Sequence, residues 1–146
     1  MILDEPTSGV DPIARARLWD TIHAQAEKGA GLLVSTHYMQ EAEQCDRLIL
    51  MDLGRIVAEG TTSRIVGDTT TVRVRTDAWA SAFEALRSAD VPVALAGREV
   101  RAVGTQPERV RQVLAAAGVV GQVEVVTATL EEKMTAIVRA RSTVDA

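Results

Sequence analysis

Apolar residues change their spacing several times along this chain, and each change predicts an element. After Asp11-Pro12, the positions Ile13, Ala16, Leu18 with Trp19, Ile22 and Ala26 hold a helical stripe until Gly29 and Gly31 interrupt it. Asp11 is an N-cap type of residue and Pro12 suits the first helical position, where its missing N–H costs nothing. Leu32-Leu33-Val34, ending at Ser35-Thr36-His37, is a short, wholly apolar run, the pattern of a strand covered on both faces. A second helix is expected over about Met39 to Gln44. Leu48 to Met51 and Ile56 to Ala58 flank Asp52-Leu53-Gly54-Arg55 and read as two strands joined by a tight turn. A short helix near Ser63 to Val66 closes this half.

Beyond Gly67-Asp68-Thr69-Thr70-Thr71 the texture shifts to short alternating units, so the chain is expected to divide into residues 1–67 and 68–146. Val72 and Val74 alternate with Arg73 and Arg75 as in a half-buried strand, while Trp79, Ala82, Phe83 and Leu86 keep helical spacing. Val91 to Ala96 and Glu99 to Val103 make a hairpin around Gly97-Arg98. A helix carrying Val110, Val113, Leu114 and Ala117 follows, then the strand Gln122 to Val126. The order βα-ββ-αβ is that of the split βαβ, ferredoxin-like unit. A last helix, Leu130 to about Arg141, places Leu130, Met134, Ile137 and Val138 on one face and needs something to pack against.

Composition narrows the functions this pattern can serve. With 146 residues, 47% of them hydrophobic, the chain can bury one moderate core or two small ones. A net charge of -4 and only 3% aromatic residues give neither a basic surface for a phosphate backbone nor platforms for stacked bases, so nucleic acid is not expected as a partner. The single Cys45 cannot form an internal disulfide, and no leader or long apolar run occurs, which makes the cytosol the simplest compartment.

The chemistry concentrates near the start, in MILDEPTSGVDP. An apolar run ending in Asp4-Glu5 reads as a strand leaving the interior at a phosphate or metal site, although Met1-Ile2-Leu3 is short for a whole strand. Neighbouring side chains on an extended backbone diverge, so two jobs are more natural than one. One carboxylate can hold a hydrated Mg²⁺ while the other polarises a water for attack on a terminal phosphate. A bare Asp-Glu pair is read more simply as an exposed acidic turn. His37, immediately after the second apolar strand, lies at the edge where open α/β sheets expose ligands; it is either a solvated turn residue or a donor to a γ-phosphate. Cys45 reads as a small half-buried helix residue, with no zinc spacing and no paired base.

Taken together and in order, LDEPTSGVDP and, about two dozen residues later, STHYMQEAEQCDRL resemble the ATP-binding subunits of ABC transporters. Seven fixed positions, LDEPTSG, recur by chance at roughly one site in a billion. The resemblance makes the first stretch the Walker B strand end and D-loop and the second the switch histidine with its helix; DRLILMDLGRIVAEGT resembles the hairpin that follows. It implies that Asp4 holds Mg²⁺ through water, that Glu5 is the general base, and that His37 contacts the γ-phosphate of ATP. It also implies that Ser8, Gly9 and Asp11 form a loop reaching a second ATPase subunit. Val10 stands where leucine is usual. Thr129-Leu130-Glu131-Glu132-Lys133-Met134 resembles the closing helix of drug- and polysaccharide-exporter ATPases, with Met134 replacing the usual aromatic residue.

The fold so implied is α/β: the C-terminal part of a P-loop NTPase (ABC ATPase) domain, then a small α+β ferredoxin-like accessory domain. The partners implied are the second ATPase subunit and a membrane permease, at the cytosolic face of the cell membrane. No G-x-x-x-x-G-K-[ST] cradle for phosphates, no LSGGQ signature, no Q-loop glutamine and no adenine-stacking aromatic occur in these residues. The expectation is therefore the C-terminal portion of an ABC exporter ATPase, inactive by itself. A non-enzymatic regulatory remnant and part of a soluble ABC ATPase are the alternatives.

Overall fold

The structure, a computed structural model, describes residues 1–142. By internal packing the chain forms two compact units, one of residues 1–46 and one from Arg47 onward. The first unit is small. Strand β1 (Ile2–Asp4) pairs in parallel with β2 (Leu33–Ser35), and α1 (Pro12–Glu27) and α2 (Met39–Ala42) complete it. Helix α1 begins where Asp11 and Pro12 dictate, and it buries Trp19 and Ile22. Ile13, at the start of the expected stripe, is exposed. The expected two-sided cover of β2 is not found among the described residues, for Leu33 is 58% exposed. Helix α2 ends at Ala42, short of Gln44, and leaves Cys45 half-buried in a bend beyond it.

In the second unit, β3 (Leu48–Asp52) and β4 (Arg55–Gly60) form the expected hairpin, with a bulge between Leu50 and Met51. Its two-residue turn puts Leu53 and Gly54 at φ 48° and 73°, the doubly left-handed geometry that matches strand twist and that glycine tolerates without strain. Leu48 and Leu50 point inward while Ile49 and Met51 point out, as the strand period requires. Helix α3 (Thr62–Val66) is capped by the Thr61 hydroxyl and buries Ile65 and Val66.

The remaining strands are β5 (Thr70–Arg75), β6 (Val93–Ala96), β7 (Glu99–Val103) and β8 (Gln122–Thr127). They form one antiparallel sheet in the order β6-β7-β5-β8, so β5 lies between β7 and the last strand. Helices α4 (Trp79–Ser88) and α5 (Pro107–Ala116) cover one face. Val72, Val74, Val100 and Ala102 meet Ala82, Leu86, Val110 and Leu114 there, most of them fully buried. The alternation read from Val72 to Arg75 is this division of faces.

The other face carries charge in pairs. Arg73 binds Glu124 at 2.5 Å and Arg75 binds Glu99 at 2.6 Å. Arg73 and Arg101 oppose each other in the strand register, a like-charge contact that the acids on either side offset. The acid for Arg101 comes from helix α6 (Leu130–Ser142): Glu132 accepts from its Nε at 2.5 Å and its Nη2 at 3.0 Å. Glu132 also closes a capping box, for it accepts from the Thr129 N–H at 2.8 Å while its own N–H donates to the Thr129 hydroxyl at 3.2 Å. Leu130 is buried beside this anchor, and α6 packs on α3, the contact its apolar face required.

The Arg101–Glu132 pair, with side chains 13% and 9% exposed, differs in kind from the open pairs beside it. Burial pushes the Glu132 carboxyl up, but the bonds from Arg101 and Thr129 outweigh burial and hold it below the ordinary glutamate value. A carboxyl depressed by folding lends stability above its unfolded value, and that stability drains as pH falls through the folded value. We expect Arg101→Ala to cost about 3 kcal/mol in urea unfolding followed by far-UV circular dichroism, because it strands a buried carboxylate. As pH falls below about 5, past the unfolded glutamate value, the native protein should lose stability that Glu132→Gln does not.

Candidate active site

The parallel register of β1 and β2 sets Asp4 opposite Ser35 at the C-terminal ends of both strands. Ser35 Oγ donates to Asp4 Oδ1, fixing that carboxylate beside the strand ends. Directly after Asp4 the backbone leaves the extended region, for Glu5 sits at φ 44°. Left-handed geometry is unfavourable for a residue with a side chain and persists where the surroundings demand it. Here the Glu5 N–H donates to both the carbonyl of Ser35, at 3.1 Å, and its hydroxyl, at 3.0 Å.

The turn re-aims the Glu5 side chain toward His37, whose Nδ1 lies 2.5 Å from Glu5 Oε2. An ionised carboxylate can only accept, so Nδ1 carries the proton in this contact and Nε2 is the ring nitrogen left for another partner. The His37 ring also lies against Tyr38, with centroids 4.1 Å apart. Asp4, Glu5 and His37 thus gather at one edge from three sequence positions, with the two acids on separate partners. Ser8 and Gly9 are exposed in the loop that follows, held by Ser8 N–H to Glu5 O at 3.0 Å and Val10 N–H to Thr7 O at 3.1 Å. Asp11 acts locally, capping α1 with its Oδ1, which accepts from Ile13 N–H at 2.9 Å and Ala14 N–H at 3.0 Å. The Cys45 thiol is pushed up by burial, then by Asp46 and Glu41, which keeps it protonated and a poor nucleophile.

One residue at this edge escaped the reading of the sequence. Glu41, 3% exposed on α2, accepts from the Thr7 hydroxyl at 2.9 Å and the Thr36 hydroxyl at 2.8 Å. Arg15 of α1 places Nε 3.4 Å from its other oxygen and stacks over the Tyr38 ring at 4.8 Å. The segment MQEAEQ holds no apolar stripe to mark an inward face, so a buried acid there looks like its solvated neighbours.

Among the described residues no group of three or more His, Cys, Asp or Glu is arranged to hold a metal outright. Asp4 is exposed with the Ser35 hydroxyl beside it. One hard carboxylate of this kind fits Mg²⁺, which keeps most of its waters and takes other ligands from phosphates.

Two parallel strand ends here bring together an acid bound to a serine and a second acid bound to a histidine, and curated homologues of this chain are ABC transporter ATP-binding proteins. The chain is 51% identical over 61 residues, 42% of its length and 11% of the relative's, to the probable multidrug ABC transporter ATP-binding protein YbhF of Escherichia coli. It is 44% identical over 66 residues, 44% of its length and 20% of the relative's, to the daunorubicin/doxorubicin resistance ATP-binding protein DrrA of Streptomyces peucetius. Over 61 residues, 41% of the chain and 20% of the relative, it is 48% identical to the Nod factor export ATP-binding protein I of Rhizobium leguminosarum. No family model matches the chain. It spans 11% to 22% of the length of such relatives.

The Asp11 geometry yields a direct check on local stability. Asp11→Ala should cost about 1 kcal/mol and Asp11→Ser much less, because only the alanine removes the acceptor for two N–H groups. Urea unfolding of the two variants measures the difference; equal losses would mean the cap carries nothing.

Proposed function

We propose that residues 1–67 are the Walker B, D-loop and switch-histidine part of the ATP-hydrolysing, energy-coupling subunit of an ABC exporter, followed by a ferredoxin-like accessory domain over 68–146. The observation that carries this reading is the Glu5–His37 contact at 2.5 Å beside Asp4, at the ends of two parallel strands. In this reading Asp4 would hold Mg²⁺ through water, and the cation would supply charge neutralisation to the nucleotide phosphates. Glu5 accepts a proton from the water that attacks the terminal phosphate. His37, oriented through Nδ1, turns Nε2 toward the γ-phosphate. Ser8 and Gly9, exposed beyond the acids, extend toward a second ATPase subunit, while Asp11 supports that loop by fixing the start of α1.

The names of the relatives speak of export and drug resistance, which favours an exporter over a soluble ABC ATPase. The permease partner and the cytosolic face of the membrane follow from that reading; among the described residues no helix is long and apolar enough to cross a membrane. The accessory-domain reading draws on the β6-β7-β5-β8 order, which a βα-ββ-αβ chain gives when its first strand ends beside its last.

Two experiments test the proposal. A graft of residues 2–66 into a complete ABC ATP-binding subunit, replacing the corresponding segment, should hydrolyse Mg-ATP, and Asp4→Asn in the graft should weaken Mg-nucleotide binding. A folded graft that binds nucleotide without turning it over, or an Asp4→Asn form that binds as well as the parent, contradicts the assignment. The 146-residue chain alone, which contains no G-x-x-x-x-G-K-[ST] cradle, should show no saturable Mg-ATP binding by calorimetry. Micromolar affinity would mean that another part of it cradles phosphate.

A further inference from the structure

The buried carboxylate of Glu41 has no part in the chemistry assigned to Asp4, Glu5 and His37, yet it stands behind all of it. A glutamate that is 3% exposed carries a large desolvation cost unless hydrogen bonds replace its water. Its partners come from separate stretches of chain. Thr7, 1% exposed, follows Glu5 by two residues, and Thr36 immediately precedes His37. Both hydroxyls donate to the same atom, Glu41 Oε2, at 2.9 and 2.8 Å. Thr36 Oγ1 in turn accepts from the Tyr38 N–H at 3.1 Å, so the hydroxyl bridges both sides of His37. Arg15, near the other carboxylate oxygen at 3.4 Å, lies over the Tyr38 ring and closes the group from α1.

We infer that Glu41 is a positioning residue: one oxygen ties the loop that carries Glu5 to the loop that carries His37, and so sets the 2.5 Å contact between them. The inference rests on the proposed ATPase reading for its functional meaning, but the coupling itself is a property of this chain without nucleotide. One oxygen holding both hydroxyls is a shared tether: losing either hydroxyl leaves the buried carboxylate short of a partner and frees it to shift, and the loop on the remaining hydroxyl shifts with it. A residue in one loop therefore controls the geometry of the other. Oriented groups of this kind matter because a misplacement of about 1 Å can cost two orders of magnitude in rate.

The test reads His37 while changing Thr7, whose side-chain hydroxyl bonds Glu41. In the full 146-residue chain, the ring nitrogen signals of His37 are recorded by ¹⁵N NMR at one fixed pH, with Glu5→Gln marking the position of the signal when the carboxylate is gone. Thr7→Val should move the Nδ1 signal at least halfway toward that mark, and Thr7→Ser, which restores a hydroxyl, should return it to the native position. A Thr7→Val protein whose amide spectrum is native outside the two loops and whose Nδ1 signal has not moved overturns the inference. If Thr7→Val loses the dispersed amide signals before Arg47, Glu41→Gln is read in its place: its single oxygen cannot serve both threonines without turning the amide nitrogen to Arg15. The same displacement is expected, and a native signal overturns the inference. In the grafted ATPase, Thr7→Val should lower kcat at least tenfold with KM unchanged, whereas a purely structural role would lower the amount of folded enzyme and leave kcat per folded molecule intact. A graft that never hydrolyses ATP removes the ATPase reading alone, and an unmoved His37 signal removes the coupling alone.

Discussion

The in-register parallel pairing of Ile2–Asp4 with Leu33–Ser35 is the constraint on which the candidate site depends. It aligns the ends of strands that are about thirty residues apart in sequence, so that Ser35 can bind Asp4 and hold the Glu5 N–H. Those two contacts end the strand abruptly and put Glu5 into left-handed geometry. Without that turn Glu5 would continue the strand alternation and point away from His37. A shift of one residue in register would put Asp4 beside Val34 or Thr36, and the serine that organises both acids would no longer face them.

Among the described residues each unit contains one nearly hidden carboxylate, and the pair shows how differently buried and exposed acids are used. Glu41 gathers two hydroxyls and an arginine, and Glu132 gathers a guanidinium and a helix cap. Glu99 and Glu124, on the open sheet face, bind arginines at comparable distances yet remain in contact with solvent. Their carboxyls too are held below the ordinary value, first by hydrogen bonds from Arg75 and Arg73, but screening leaves such exposed pairs with little weight in stability. The buried pairs fix geometry: Glu132 sets where α6 starts, and Glu41 sets how two loops meet.

Most of the element order was legible in the sequence because each helix and strand carries its own period. Pro12 after Asp11, Gly54 after Leu53, and the alternation from Val72 to Arg75 all lie in the expected elements. LDEPTSG and STH drew Asp4, Glu5 and His37 out of the sequence as candidates, and the structure adds that Glu5 and His37 touch. What stayed hidden was long-range. Glu41 is as polar as Glu43 two residues on, and only tertiary structure distinguishes the buried one from the exposed one. The apolar run Leu32-Leu33-Val34 reads as a strand with two covered faces, while the described residues leave Leu33 open. Packing also groups residues by contact and not by texture: α3 touches β4 and α6, so the compact unit beginning at Arg47 contains the hairpin that precedes the change in pattern at Gly67.

The central claim is that Glu5 activates water while Asp4 serves the metal and His37 senses the phosphate. Its most direct measurement is single-turnover hydrolysis by a complete ABC ATPase carrying this segment, with glutamine in place of Glu5. The amide keeps the size of the side chain and spares Asp4, so nucleotide should still bind with Mg²⁺, while turnover falls by roughly 10² to 10⁴ as general-base help is lost. Uncleaved ATP should then be recovered from the protein. Turnover within a few-fold of the parent, or loss of nucleotide binding in place of loss of chemistry, would contradict the account.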